Sequence, residues 1–444
     1  MAPATRHPPG RGAPGTRRPA VAAVPHREPG ATAAAGRETI VDVELTLLGT
    51  GSPEGLPVPD CPCAVCAAST GEGARGATAL LVDGVVLVDL TPGPALAAAR
   101  AGQSLAGLRL VLLSHPHNGP AVEIPPVLPA PTRVPDGRRL PLITGHRVAA
   151  VATDAPGTGY AIESPDGMRA LYLPPGCAPA GPVPAQTAPY DLVLLDAAGR
   201  PDALAKLRAA GAVTGTTDVV AVHLGHDAAP AGPELDRRLA ALGARAVPDG
   251  TTLVAGDYQK VPDVPRRTLV LGGARSGKSV EAERRLAAFP GVVYVATGGT
   301  RADDAEWTRR VAHHRERRPA SWRTEETCDL VPLLAASDGP PLLVDCLSLW
   351  LTDVMDEAGA WDDDAWRRGA ADEVRARAAE LAAAWRATRR TVVAVSNEVG
   401  SGVVPATSSG RRFRDELGRL NAAIAAESEH VLLVVAGQAV PLRG

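Results

Sequence analysis

Thr268-Leu-Val-Leu-Gly272-Gly-Ala-Arg-Ser-Gly277-Lys278-Ser279 is the stretch that decides how this chain folds. It opens on β-formers and continues as G-x-x-x-x-G-K-[ST], a glycine-rich loop running into a helix. Chance would give the pattern roughly 0.003 times in a chain of this length and composition. Glycines let successive backbone N–H groups turn toward a phosphate, and the helix N-terminus adds partial positive charge. Lys278 then reaches the β- and γ-phosphate oxygens, and the Ser279 hydroxyl is a candidate Mg²⁺ ligand. Gly272, Gly273, Ala274, Arg275, Ser276, Gly277, Lys278 and Ser279 are thus nucleotide-binding candidates, with Lys278 also catalytic.

Downstream of this loop, strands alternate with helices. The pattern predicts helices at Ser279 to Ala288, Asp303 to Glu316, Asp363 to Thr388 and Ser409 to Glu427. Between them lie strands at Val292 to Ala296, Leu342 to Asp345, Thr391 to Val395 and His430 to Val435. Such alternation implies a mainly parallel sheet covered on both faces, the α/β class expected of a P-loop NTPase. Asp345 closes an apolar strand, where a carboxylate can hold Mg²⁺ through water or cap the next helix. His313 and His314 are adjacent, so one helix face admits only one of them. A neutral imidazole is a competent nucleophile toward phosphorus, and the arginines around the pair can hold the remaining phosphates.

Upstream, from Glu44, short apolar runs are broken by Gly and Pro, among them Leu45 to Gly51, Ala79 to Val82, Val85 to Asp89 and Leu110 to His115. Later runs follow at Arg169 to Leu173, Asp191 to Asp196 and Val219 to Leu224, with helices at Pro201 to Ala210 and Gly232 to Leu242. This half reads as mostly strands. The boundary falls where Pro262 and Pro265 interrupt any hydrophobic period. The expected organisation is a disordered tail over 1–38, one domain over 39–257, a linker over 258–267 and a second domain over 268–444.

The chain has 444 residues, enough for two domains, with 45% hydrophobic and 21% charged residues. No run approaches the ~18 apolar residues of a membrane span. A net charge of −3 gives no global attraction to nucleic acid or anionic lipid, so phosphate chemistry must be local. Six cysteines are too sparse for a disulfide scaffold. A reducing compartment is expected, and with no secretory h-region, the cytoplasm.

Several motifs in the second half combine into a family pattern. They are the glycine-rich loop, Tyr294-Val-Ala-Thr297, His313-His-Arg-Glu-Arg-Arg318-Pro, Trp322-Arg-Thr, Asn397-Glu-Val-Gly-Ser-Gly-Val-Val-Pro405, Arg412-Phe-Arg-Asp415, Gly418-Arg-Leu-Asn421 and Val434-Val-Ala-Gly437. Together they resemble the bifunctional adenosylcobinamide kinase / adenosylcobinamide-phosphate guanylyltransferase family of cobalamin biosynthesis. The resemblance implies that ATP or GTP phosphorylates adenosylcobinamide, and that GTP then gives GMP to the phosphate, releasing pyrophosphate. It implies a GMP-histidine, placed on His314 with His313 the fallback. It further implies nucleotide contacts at Thr297, Arg315, Glu316, Arg317, Arg318, Glu326 and Asp345, Mg²⁺ at Ser279 and Asp345, and a homo-oligomer. The sequence departs from the pattern by a two-residue expansion around Gly299 to Arg301 and by Asp rather than Glu at 345. Two other readings are a nucleotide-gated binding module with little catalysis and a P-loop kinase for another small alcohol.

The first half carries Leu47-Leu-Gly-Thr-Gly-Ser-Pro, a cluster at Cys61, Cys63 and Cys66, Leu113-Ser-His-Pro-His117 and His223-Leu-Gly-His226. These are similar to a metallo-β-lactamase-fold hydrolase, an αββα sandwich, of the phosphodiesterase type with an accessory Cys-rich zinc site. The family's metal pair sits on His-x-His-x-Asp-His, whereas Asn118, Gly119 and Pro120 follow here. Its later Asp and His are also missing, at Tyr172-Leu-Pro-Pro175 and after Asp196. Two imidazoles cannot replace such a ligand set, since a catalytic zinc normally takes three protein ligands. The expectation is an inactive hydrolase that keeps a candidate structural Zn²⁺ on Cys61, Cys63, Cys66 and His226.

Overall fold

In the first half, period-two alternation assigns each strand's side chains to two faces, and a computed structural model shows both faces covered. It describes residues 43–116, 126–142, 144–181, 188–228, 232–257, 264–298, 309, 312, 316 and 318–444. The 1–38 tail and the helix expected over Asp303 to Glu316 therefore lie wholly or largely outside the described residues. No described helix is long and apolar enough to cross a membrane.

Two sheets pack face to face. The first contains β1 (Glu44–Gly49), β2 (Ala79–Val82), β3 (Val86–Val88), β4 (Leu110–Leu112) and the late β12 (Thr252–Val254), in the order β12-β1-β2-β3-β4. The second runs β11-β10-β9-β8-β7-β6-β5. Its strands are β5 (Arg139–Pro141), β6 (Arg147–Ala152), β7 (Thr158–Glu163), β8 (Arg169–Tyr172), β9 (Leu192–Leu195), β10 (Asp218–Ala221) and β11 (Arg245–Ala246). Leu45, Leu47, Leu80 and Val88 of the first sheet meet Ile162, Tyr172, Leu192 and Val220 of the second in one core. The alternate residues face outward. Leu81 and Leu87 pack toward α2 (Pro94–Arg100), following the short α1 (Ala64–Ala68), while Leu171, Val193 and Val219 pack under α3 (Pro201–Ala209) and α4 (Pro233–Ala241). This is the expected αββα layering.

The second half is a sheet in the order β15-β14-β16-β17-β13-β18-β19. Its strands are β13 (Arg267–Gly272), β14 (Val293–Ala296), β15 (Arg323–Glu326), β16 (Leu342–Asp345), β17 (Val392–Asn397), β18 (His430–Val435) and β19 (Gln438–Arg443). All pair in parallel except β19, which turns back on β18. Helix α5 (Lys278–Leu286) covers one face through Ala282 and Leu286. The other face is covered by α6 (Leu330–Ala335), α7 (Leu347–Glu357), α9 (Ala371–Ala387) and α10 (Ser408–Ala426), with the short α8 (Asp363–Ala365) before α9.

Several elements depart from the sequence expectations. The single helix expected over Asp363 to Thr388 is broken by a π turn at Trp366–Ala370, where Gly369 takes φ 139°. A residue with a side chain would be strained there, and this break separates α8 from α9. Helices α6 and α7 and strands β15 and β19 lie outside the sequence expectations, as do α1, α2, β5, β6, β7, β11 and β12 in the first half. Helix α7 buries Leu347, Trp350, Leu351, Val354 and Met355 at helical spacing, but it follows β16 after a single residue, so strand and helix read as one apolar run. The two strands are exposed sheet edges without alternation.

The halves touch through α4 and α5. Half-buried Arg208 of α3 donates to Leu242 O at 2.8 Å and to Ala288 O at 2.9 Å, just past the end of α5, and its guanidinium lies 5.5 Å from the Phe289 ring centroid. Ala288 itself packs into the core of the first half.

Candidate active site and metal centre

The phosphate loop sits between β13 and α5, at the sheet's carboxyl edge beside the central strand β17. Gly272 must be glycine, because a Cβ there would lie 2.4 Å from Ser276 Oγ and 2.8 Å from Val434 O. Gly277 has φ +97°, a left-handed conformation that glycine adopts without strain. Gly273, Ala274 and Arg275 are exposed at the tip, and Lys278 is buried with its ammonium donating to Gly273 O at 3.1 Å. Neighbouring strand ends brace the loop: Glu398 N donates to Gly272 O at 3.2 Å, and Gly437 N donates to Ser276 O at 2.9 Å.

Register brings the acidic candidates onto the same edge. Ala296 pairs with both Glu326 and Asp345 across parallel strands. The Tyr294 hydroxyl donates to Asp345 Oδ2 at 2.7 Å, and Arg318 stacks with its guanidinium carbon 3.5 Å from the Tyr294 ring centroid. Burial and the Asp345 charge push the Tyr294 hydroxyl far above its ordinary pKa, so it stays a donor. Lys278 acts on the same region, since its charge lowers the pKa of the Cys346 thiol, which burial raises overall. Thus Lys278, Asp345 and Arg318 converge, and Glu326 and Ser279 stand on adjoining strand and helix ends.

Thr297 has a different role in the geometry. Its hydroxyl donates to Cys346 O at 2.7 Å and accepts from Cys346 N at 2.9 Å, so it ties the end of β14 to the start of α7. A second tie was not anticipated: Asn397 Nδ2 donates to Ser348 Oγ at 2.9 Å, and Asn421 Nδ2 donates to Asn397 O at 3.0 Å. The Asn397 motif was visible in sequence, but its partners lie too far along the chain to be read there. Glu316 is exposed, and His313, His314, Arg315, Arg317 and Gly299 to Arg301 lie outside the described residues.

In the first half, Cys61, Cys63, Cys66 and His226 place their ligand atoms within 4.8 Å of one another. Tetrahedral zinc with sulfur bonds of about 2.3 Å needs sulfurs roughly 3.8 Å apart, so the group fits that ion with little movement. Cys61 Sγ is 3.3 Å and Cys66 Sγ 3.8 Å from His226 Nδ1. Backbone N–H groups of Val58 and Cys66 donate to Cys66 and Cys63 sulfurs, each at 3.4 Å, as second-sphere donors to thiolates do. A hydrogen bond from Cys66 N is the main cause that lowers Cys63 to about 7, whereas burial raises Cys66 to about 11. Among the described residues, no other cluster of His, Cys, Asp or Glu has this metal-ligand geometry.

The histidines His115 and His223, with Asp89, are closed in by neighbouring donors and acceptors. Asp89 is fully buried and accepts from Ser114 N at 2.7 Å, Ser114 Oγ at 2.5 Å and the Tyr172 hydroxyl at 2.7 Å. His115 Nδ1 lies 3.0 Å from Ser114 Oγ, and His223 Nε2 lies 3.0 Å from Leu173 O. His117 and Asn118 to Pro120 lie outside the described residues.

With this geometry in place, the comparisons with known proteins decide the family. Residues 268–442 match the model of the cobinamide kinase / cobinamide phosphate guanyltransferase family. A bifunctional adenosylcobalamin biosynthesis protein of Pseudomonas aeruginosa is 46% identical over 183 residues, covering 40% of this chain and 98% of the relative. The chain belongs to this family. A second member, from Salmonella typhimurium, is 38% identical over 184 residues, covering 39% of this chain and 98% of its own. The second half is accordingly a cobinamide kinase and guanylyltransferase acting in cobalamin biosynthesis. Two solved structures are also similar. Zn²⁺-bound PqqB from Methylobacterium extorquens has a TM-score of 0.36 and 16% identity, covering 47% of this chain and 99% of its own. A diphosphatase of the PhnP family has a TM-score of 0.37 and 20% identity, covering 48% of this chain and 97% of its own.

Proposed function

We propose that the two reactions of this family share the carboxyl edge described above, with the roles divided among named residues. In the first, the phosphate loop and Lys278 hold the β- and γ-phosphates of ATP or GTP while the acceptor hydroxyl of adenosylcobinamide attacks in line. The oxygen–phosphorus bond to the γ-phosphate forms as the bond to the nucleoside diphosphate breaks. In the second, His314 attacks the α-phosphorus of GTP and expels pyrophosphate, and the acceptor's phosphate then displaces the imidazole, giving adenosylcobinamide-GDP.

Ser279 and Asp345 would hold Mg²⁺, which supplies charge neutralisation at the phosphates. Both offer hard oxygen donors, as that ion requires. Tyr294 keeps one Asp345 oxygen in place. Arg318, together with Arg315, Glu316, Arg317 and Glu326, frames the guanylate, and Thr297 positions the strand ends. The observation that carries this reading is the convergence of Lys278, Asp345 and Arg318 at one edge of a sheet whose family is known.

The same reading divides the chain at 258–267 into a sandwich without hydrolase activity and a catalytic second domain. Cys61, Cys63, Cys66 and His226 hold a structural Zn²⁺ that clamps α1 to the loop after β10. The enzyme works as a homo-oligomer in the cytoplasm. Incubation with [α-³²P]GTP alone tests the covalent step. Acid-labile label should form on the intact chain and vanish in His314→Ala; label that survives this substitution overturns the assignment.

A further inference from the structure

Exposed apolar side chains gather at the elements bordering the phosphate loop. Val280 lies in the first turn of α5, and Val435 ends β18, one neighbour of β13. Val403 and Val404 stand in the loop leaving β17, the other neighbour of β13, and are 95% and 60% exposed. Both ends of that loop are fastened. Glu398 N is bonded to Gly272 O at the phosphate loop, while Arg411 donates to Pro405 O at 3.0 Å and Ala406 O at 2.7 Å. Between these anchors Gly400 to Val404 are exposed throughout.

Two adjacent valines held out into water beside a phosphate site gain nothing for the fold and do not suit phosphate, which calls for charge and hydrogen bonds. They suit the acceptor. Cobinamide is a broad macrocycle whose conjugated ring and ring methyl groups are apolar while its rim carries amide arms, and its reacting hydroxyl sits at the tip of one such arm. That hydroxyl must lie in line with the γ-phosphate, so the ring has to rest just outside the strand ends. We propose that Val403 and Val404 form the platform on which the corrin ring of the acceptor lies. This inference rests on the cobinamide reading of the site and adds the surface that selects its substrate.

The test uses the full chain and three variants: Val403→Ala with Val404→Ala, Val403→Asp, and Leu96→Asp as a control on exposed α2. Two quantities are read, the KM for adenosylcobinamide in the kinase step and the labelling by [α-³²P]GTP without corrinoid. Removing the two valines' methyl groups should raise the corrinoid KM roughly tenfold, about 1.4 kcal/mol. Val403→Asp should raise it further, with GTP labelling and the control unchanged. A corrinoid KM that stays put in both loop variants overturns the proposal, as does a change confined to subunit mass, which would make the valines a contact between copies. An equal loss of GTP labelling also overturns it by moving the loop to the nucleotide. Absence of label in the unaltered chain would sink the GMP-histidine instead, and the kinase KM would still decide the platform.

Discussion

Each half of the molecule places an aspartate at the carboxyl end of a strand and directs a tyrosine hydroxyl at it from 2.7 Å. Asp89 follows β3 and is wholly enclosed, with Ser114 and Tyr172 donating to it. Asp345 closes β16 and is half-exposed, beside a loop whose lysine charge reaches the next residue. The same pair of side chains is thus a brace in one half and, in the proposed function, part of a reaction edge in the other. What separates them is access, because a carboxylate surrounded by donors is a structural acceptor, while one at an open sheet edge can handle a cation.

Replacing each aspartate by alanine should break this symmetry most strongly. Asp345→Ala is expected to lower kinase turnover by about 10²–10³-fold with little change in stability. Asp89→Ala strands buried donors and is expected to cost about 3 kcal/mol in urea unfolding while turnover per folded molecule holds. Equal stability losses at both positions would mean that the two pairs do the same job.

Acid should then unsettle the first half selectively. Burial depresses His223 from 6.5 to about 4, with Leu173 O as its neighbour and Asp89 and His115 as the charged groups facing it. The unfolded chain takes up the proton first on acidification. Stability contributed by the neutral ring is therefore complete above pH 6.5 and lost as pH falls toward 4, by about 1.4 kcal/mol per unit. Urea midpoints measured at pH 7 and 5 should differ, and His223→Gln should remove most of that difference. A midpoint indifferent to pH in the unaltered chain would refute it.

The two halves also differ in how far their sequence discloses them. The phosphate loop was legible because its chemistry is done by backbone over consecutive residues, so eight positions carry the whole site. Three of the four metal-ligand candidates were legible for the same reason, being packed between Cys61 and Cys66. The Tyr294–Asp345 and Tyr172–Asp89 pairs were not, since parallel strands bring together residues far apart in the chain. β15 escaped because Arg-Thr-Glu-Glu has no apolar alternation and is held only by its register on β14. α7 escaped although Leu347, Trp350, Leu351, Val354 and Met355 keep a helical period, because only Cys346 separates it from β16 and the two merge into one apolar run.

The smallest expected effect tests whether the halves are separable at all. Arg208 belongs to the sandwich yet donates to Ala288 O, one residue beyond the C-cap of the phosphate-loop helix, where a cation also complements the helix dipole. Desolvation lowers its pKa to about 10, so it remains charged at neutral pH. Arg208→Met would keep the bulk while leaving the Leu242 and Ala288 carbonyls without this donor, a loss of about 1 kcal/mol. All six tryptophans lie at or beyond Trp307, so tryptophan fluorescence reports on the second half alone. A mutation in the first half should therefore lower the midpoint seen by that fluorescence. A midpoint that does not move would make the sandwich a passenger, since nothing it does to α5 would then reach the core around the phosphate loop.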